Sequence, residues 1–210
     1  MASLRTLKKM QTERKLWTTA IELFTHRSFD KVSVAEIAAA AEVSTMTVFN
    51  YFPTKEDLVM RPLERHTDEL AQVVRERAVG RSAVDAVREQ FRAALAEFDP
   101  STGLNDEETI LAVVRLIHAT PSLQQRRLAV VSAVEEALAA ELAEQDGGDD
   151  PLAPRLAAAQ LVGARRILVL ENQRRVLDGE RATALLDEAH ADADRVFARV
   201  ESGLGDYCRR

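Results

Sequence analysis

Residues 33–58 read SVAEIAAAAEVSTMTVFNYFPTKEDL, and this stretch decides the fold. Ser33 is a suitable N-cap, and Glu36, three residues on, completes a capping box. The hydroxyl takes an orphan helix N–H, and the carboxylate reaches back to the cap N–H. Val34, Ile37, Ala38 and Ala41 then recur at helical spacing on one face. The alanines from Ala38 to Ala40 keep helix propensity high and leave room for a second helix to cross close by. Ser44 caps that second helix after a turn at Val43. Val48 and Phe52, four apart, share a face and point to the core. Thr45, Met46, Thr47, Asn50 and Tyr51 are left for the outside. Pro53 ends the helix, because it lacks an N–H and disfavours α geometry in the residue before it. Thr54 opens a further helix, with Glu56 and Asp57 in the first turn where the helix dipole favours negative charge. A short helix, a tight turn and a second helix with a polar and aromatic side form a helix-turn-helix pattern. Such a motif lays its second helix in the DNA major groove.

The segment resembles the DNA-binding domain of TetR-family bacterial transcriptional regulators over about the first 60 residues. The resemblance is carried by Ala20, Phe24, Phe29, Val34, Ile37, Ala38, Val43 and Ser44, and by the string VFNYFPTKEDL with its capped helix before it. Two positions depart from the family pattern. Glu42 stands at the turn where Gly is usual, a place that favours positive φ. Phe49 stands where Tyr is usual, without the hydroxyl. The DNA-facing set is Ser33, Ser44, Thr45, Met46, Thr47, Phe49, Asn50, Tyr51 and Lys55. Asn50 offers a donor–acceptor pair suited to adenine, and the Thr methyls suit thymine. Thr45, Thr47 and Tyr51 can bond phosphates or base edges, and Lys55 can clamp a phosphate at the start of the following helix. The alternative for any one of them is an ordinary solvated side chain.

The whole chain is acidic, with net charge −6, which alone argues against DNA binding. The distribution reverses that argument. All five lysines lie in the first 55 residues. Residues 1–61 carry nine Lys or Arg against seven Asp or Glu, while the remainder carries nineteen against twenty-seven. Arg5, Lys8, Lys9, Arg14 and Lys15 cluster near the N-terminus as an arm for a phosphate backbone or minor groove. A solvated tail is the alternative.

The expected fold class is all-α, with about nine helices in 210 residues. Residues 1–61 form a three-helix helix-turn-helix domain, and residues 62–210 a larger helical ligand-binding and dimerisation domain. Beyond residue 62, Ala, Leu, Arg and Glu dominate and period-two alternation is absent. Breaks fall at Gly80–Ser82, Asp99–Gly103, Pro121, Asp146–Pro151 and Asp178–Gly179. There is no run of apolar residues long enough for a membrane span, and no apolar leader. The lone Cys208 makes no intrachain disulfide. These features suggest a cytoplasmic, bacterial-type protein with no cofactor and no metal.

The resemblance implies a homodimer through the last two helices. Leu156, Ala159, Val162, Gly163, Ile167, Leu170 and Leu177 supply one apolar face, and Leu185, Leu186, Ala189, Ala193, Val196, Phe197 and Val200 the other. A two-fold dimer reads a near-palindromic operator. The resemblance also implies a small-molecule effector in the C-terminal domain. The expected lining is Phe91, Leu95, Phe98, Leu111, Arg115, His118, Arg165 and Asn172. The stretch ETILAVVRLIHATPSL looks like a subtype that binds acyl-CoA-like or other hydrophobic ligands, whose carboxylate or phosphate an arginine such as Arg115 or Arg166 can meet. The function expected is a ligand-responsive repressor. The alternative is a DNA-binding regulator controlled by a protein partner. Catalysis is disfavoured: no metal-ligand spacing, phosphate loop or nucleophile elbow is present.

Overall fold

A computed structural model describes residues 4–64, 67–146 and 150–204. Cys208 lies outside them. The described residues form ten α-helices and one 3₁₀ turn, with no strand. The chain divides into two compact units: Met1–Glu64 with Ala112–Arg127, and Arg65–Leu111 with Leu128–Arg210. A boundary after residue 61 therefore falls inside a helix, and a later segment returns to the first unit. Composition marks where the lysines stop, whereas packing decides where the unit stops. Among the described residues no helix is long and apolar enough to cross a membrane.

The first unit holds α1 (Leu4–Arg27), α2 (Val34–Ala40), α3 (Thr45–Tyr51) and α4 (Asp57–Glu64). Leu16, Ala20 and Phe24 bury the inner stripe of α1, which packs on α2 and α4. Ile37, Ala38, Val48, Phe52 and Leu58 complete this core. The rings of Phe24 and Phe29 stand 4.9 Å apart, a tilted pair that closes the turn after α1. Since α1 runs from Leu4, Lys8, Lys9, Arg14 and Lys15 stand on helix rather than on a free arm. The first unit also takes the C-terminal part of α7 (Glu108–Ala119) and the start of α8 (Pro121–Asp146), where Pro121 holds the first helical position.

The second unit holds α5 (Glu69–Glu76), α6 (Ala83–Ala96), the 3₁₀ turn Pro100–Thr102, α9 (Ala153–Leu177) and α10 (Ala182–Leu204), with the rest of α7 and α8. The tenth helix arises because α4 and α5 are distinct, α5 opening after a turn at Asp68. Phe91 of α6 meets Phe197 of α10 edge-on at 6.2 Å, both fully buried. The 3₁₀ turn packs on α6 and α9. Gly103 ends it at φ +76°, and a Cβ there would sit 2.3 Å from the Val169 carbonyl oxygen. Only glycine meets both demands.

The residues expected to dimerise divide. Leu185, Ala189, Ala193 and Phe197 are buried within their own chain, and Leu186, Val196 and Val200 pack on the same core. Val162 is buried there too, with Leu177 packed against it. The apolar stripe of α10 is thus used within the protomer, because α6 and α9 both pack on it. On α9, Leu156 and Ile167 stay 57% and 59% exposed, with Ala159 exposed between them. Gly163 on this face has open space beyond it.

Candidate nucleic-acid interface

The two helices of the motif are set by caps within three residues of each start. Ser33 Oγ accepts from the Glu36 N–H at 3.2 Å, and the Ser33 N–H donates to the Glu36 carboxylate at 2.8 Å. The Ser33 N–H, then the Ser33 hydroxyl, which also donates to this carboxylate at 2.8 Å, and the Arg27 guanidinium, 2.6 Å away, hold the Glu36 carboxyl well below its ordinary range, at about 2. Ser44 Oγ accepts from the Thr47 N–H at 3.0 Å and shares a 2.8 Å bond with the Thr47 hydroxyl. Thr54 and Asp57 repeat the device: the Thr54 N–H donates to the Asp57 carboxylate at 2.6 Å, and the Asp57 N–H to Thr54 Oγ1 at 3.2 Å. The box precedes α4, so Thr54 caps the helix rather than beginning it.

The turn between α2 and α3 closes by a two-bond C-cap. The Val43 N–H donates to the Ala38 carbonyl at 2.9 Å and the Glu42 N–H to the Ala39 carbonyl at 3.1 Å. This is the Schellman arrangement, and Glu42 takes the left-handed position at φ +57°. The departure from Gly therefore leaves the geometry intact, with a strained residue in place of a free one. Lys15 of α1 pairs with the Glu42 carboxylate at 3.1 Å.

The exposed residues of α3 are Thr45, Met46, Phe49 and Asn50, with Thr47 and Tyr51 half-buried and Val48 in the core. Ser33 and Ser44 are exposed, but both hydroxyls already serve as caps. Lys55 is half-buried: its ammonium donates to the Phe29 carbonyl at 2.5 Å and lies 4.4 Å from the Phe29 ring centre. It fastens the turn after α3 to the turn after α1. An ammonium has three N–H donors, so this bond leaves others for a phosphate. Arg61 donates to the Tyr51 carbonyl and closes the C-terminal end of α3.

One residue had no signal in the sequence. Arg126, near the start of α8, spans α4 from end to end. Its Nε donates to Glu64 Oε1 at 2.5 Å, its Nη2 to Glu64 Oε2 at 3.1 Å and to Asp57, and its Nη1 to Thr54 Oγ1 at 3.1 Å. Burial alone would raise the Asp57 pKa. The bonds from Thr54 and the Arg126 charge outweigh it and keep the carboxyl below its ordinary value. Nothing in the local pattern Gln-Gln-Arg-Arg distinguishes Arg126 from its neighbours, because its partners lie 62–72 residues away.

The expected effector residues do not form one group. Arg115 and His118 belong to the first unit and are exposed, because the buried side of α7 there is taken by Ala112, Val113, Leu116 and Ile117. Partial burial and then the Arg127 charge lower the His118 pKa. The other six belong to the second unit. Phe91, Leu95 and Leu111 are core, with Phe98 packed against them. Asn172 is buried and donates to the Thr102 carbonyl at 2.9 Å, a structural bond. Arg165 donates weakly to Ser101 Oγ at 3.3 Å, and burial lowers its pKa against the opposing charges of Glu69 and Asp99. The Arg165 Nε and the Oε1 atoms of Gln90 and Gln173 are buried with no hydrogen-bond partner among the described residues. A separate groove of about 320 Å³ is lined by Ala139, Ala140, Ala143, Asp150, Pro151, Pro154 and Arg155, around the end of the linker expected at Asp146–Pro151 and the helices on either side of it.

Residues 16–61 match the family described as bacterial regulatory proteins, tetR family. The chain is 29% identical over 171 residues to the HTH-type transcriptional regulator TcmR of Streptomyces glaucescens, covering 80% of this chain and 76% of that one. Its fold is similar to NalD, the secondary repressor of the MexAB-OprM multidrug efflux pump in Pseudomonas aeruginosa. That likeness has a TM-score of 0.59 at 17% identity over 89% of this chain and 97% of the other. It is also similar to FadR of Bacillus subtilis, solved in complex with stearoyl-CoA, with a TM-score of 0.52 at 17% identity over 86% and 96%. The capped helix pair with its left-handed turn lies inside the matched residues, and the all-helical fold extends the likeness along the chain. The helix-turn-helix of residues 16–61 is therefore that of the tetR family of bacterial regulatory proteins.

Proposed function

We propose that this protein is a homodimeric repressor that binds a near-palindromic operator through α3 and leaves it when a small molecule binds the C-terminal unit. The observation that carries the reading is α3 itself: a short helix fixed by Ser44 and Arg61 and presenting an outer face of Thr45, Met46, Phe49 and Asn50. Ser33, Ser44, Thr47, Tyr51 and Lys55 then serve as positioning residues or phosphate contacts around it. Two-fold symmetry comes from α9, where Leu156, Ala159, Gly163 and Ile167, with Leu152 just before the helix, offer an outward stripe that a second copy would cover.

The effector reading is supported by the orphaned polar atoms of Arg165, Gln90 and Gln173 in the same unit as the apolar core that holds Phe91 and Leu95. An acyl-type ligand offers both an apolar chain and an acidic group for Arg165. Ligand and DNA must prefer different conformations for one to release the other. Control by a protein partner is the second reading, and the complete burial of Phe91 and Leu95 favours it, because a ligand there must first part the core. Selection of bound fragments from sheared genomic DNA tests the main reading. A near-palindromic site recovered by wild type, and lost in a Tyr51→Ala, Lys55→Ala double variant, supports it. A folded dimer that enriches no sequence refutes it, and a monomer at micromolar concentration refutes the symmetry. Release of the recovered site by fatty acyl-CoA, measured by anisotropy, separates the two readings.

A further inference from the structure

We propose that α3 reads its site through thymine methyl groups, with Met46 and Phe49 as the apolar contacts, and that the half-site under it is rich in A·T pairs. This rests on the DNA-binding reading above. Met46 is 68% exposed and Phe49 42% exposed, on a helix whose core side is already filled by Val48. At about 100° per residue, Met46 and Asn50 both point directly away from Val48, and Phe49 lies beside them. Two large apolar side chains on the outer face of one seven-residue helix add little to folding. They are suited to an apolar surface brought by the partner.

In the major groove that surface is the C5-methyl of thymine. The rest of the face agrees. The helix reads TMTVFNY and carries no Arg or Lys, the residues that most often read guanine. Asn50, four residues after Met46, pairs best with adenine N6 and N7. The exposed cations open to phosphates stand on other elements, among them Lys8, Lys9 and Arg14 on α1. Base reading and backbone attraction are therefore carried by different helices.

The test selects a site for the full chain from a random-sequence duplex library. The selected duplex is then synthesised with thymidine or with deoxyuridine at each A·T pair. Binding of wild type, Met46→Ala, Met46→Leu and Phe49→Ala is measured by anisotropy across a range of salt concentrations. The expected site has A·T pairs at the positions α3 covers. Each methyl removed there lowers wild-type affinity about three- to fivefold, the value of one buried methyl-sized group. Met46→Ala loses the distinction at one position, Met46→Leu keeps it, and neither changes the salt slope, since no phosphate contact is altered. Equal affinity of wild type for both duplexes overturns thymine reading and leaves the regulator reading standing. A G·C-only half-site does the same. Failure of the folded chain to select any sequence overturns both.

Discussion

The helix-turn-helix motif and the second helical unit are each held together at different ranges along the chain. In the motif, the bonds that set each helix join residues three apart: Ser33 with Glu36, Ser44 with Thr47, Thr54 with Asp57. The second unit adds bonds that join residues 64–102 apart. Arg165 reaches Ser101, Arg75 reaches the buried Glu141, Asn172 reaches Thr102 and Arg92 reaches Asp194. Short-range bonds form whenever the local backbone forms, so they specify a helix start independently of what surrounds it. Long-range bonds need the whole unit assembled first, and each buried polar group is costly if its partner is absent. A surface that must present the same side chains to a partner suits the first scheme. An interior that can rearrange suits the second.

Four measurements break or sharpen this contrast. The largest effect is expected in the second unit. Gly103→Ala forces a Cβ against the Val169 carbonyl oxygen and strains a residue at φ +76°. It should cost about 3 kcal/mol, a fall in melting temperature of about 6–12 °C. A fall below about 2 °C would show that α9 moves away easily and that this packing is loose.

Next comes Arg126→Met, which keeps the aliphatic stem and removes the bonds to Thr54, Asp57 and Glu64. Loss of about 2 kcal/mol is expected, because Asp57 is buried and loses its cation. Nuclear magnetic resonance should also show the Asp57 carboxyl titrating at higher pH than in wild type. This is the exception that tests the contrast, since it is a long-range clamp within the first unit.

Ser44→Ala should cost about 1 kcal/mol, the typical value of an N-cap, and should speed amide exchange in α3 while leaving α9 and α10 protected. Exchange that rises across both units would mean the motif is not independently specified.

The smallest effect concerns Glu36. Its carboxyl is lowered from 4.5 to about 2 by Ser33 and Arg27. A lowered carboxylate contributes stability that is present above about 4.5 and is lost as pH falls through about 2. Glu36→Gln should therefore remove a pH dependence of α2 amide exchange between those limits. A Glu36 side chain that titrates at its ordinary value would show the capping box open in solution.

The motif was legible because its signals are local. Ser33, Ser44, the Val48–Phe52 pair and Pro53 each act through neighbours in the chain, and the structure places them as the spacing requires. Even the awkward residue was visible: Glu42 sits where a left-handed backbone was expected, and takes it. The starts of α6, α9 and α10 were readable for the same reason, from Ser82, the break near Pro151 and Asp178–Gly179. The division of residues between the two units was not. An apolar helix such as α7 shows that it is buried but not against what, so Arg115 and His118 were grouped with residues of the other unit. Likewise, the apolar stripes of α9 and α10 were both read as interface, whereas α10 turns its stripe inward.

The sequence alone determined the helical class, the capped helix-turn-helix, the inward Val48–Phe52 pair and the concentration of lysines near it. Each follows from interactions within about four residues, or from composition, and these need no knowledge of the fold. Only the tertiary structure decided that Arg126 bridges both ends of α4, that Lys55 is fastened to Phe29, and that Asn172 bonds the Thr102 carbonyl of the 3₁₀ turn. It also decided that Gly103 is required by Val169. The physical reason is common to all of these. A hydrogen bond or a steric limit depends on distance in space, and residues 26–72 apart in the chain acquire that distance only when the helices between them have packed.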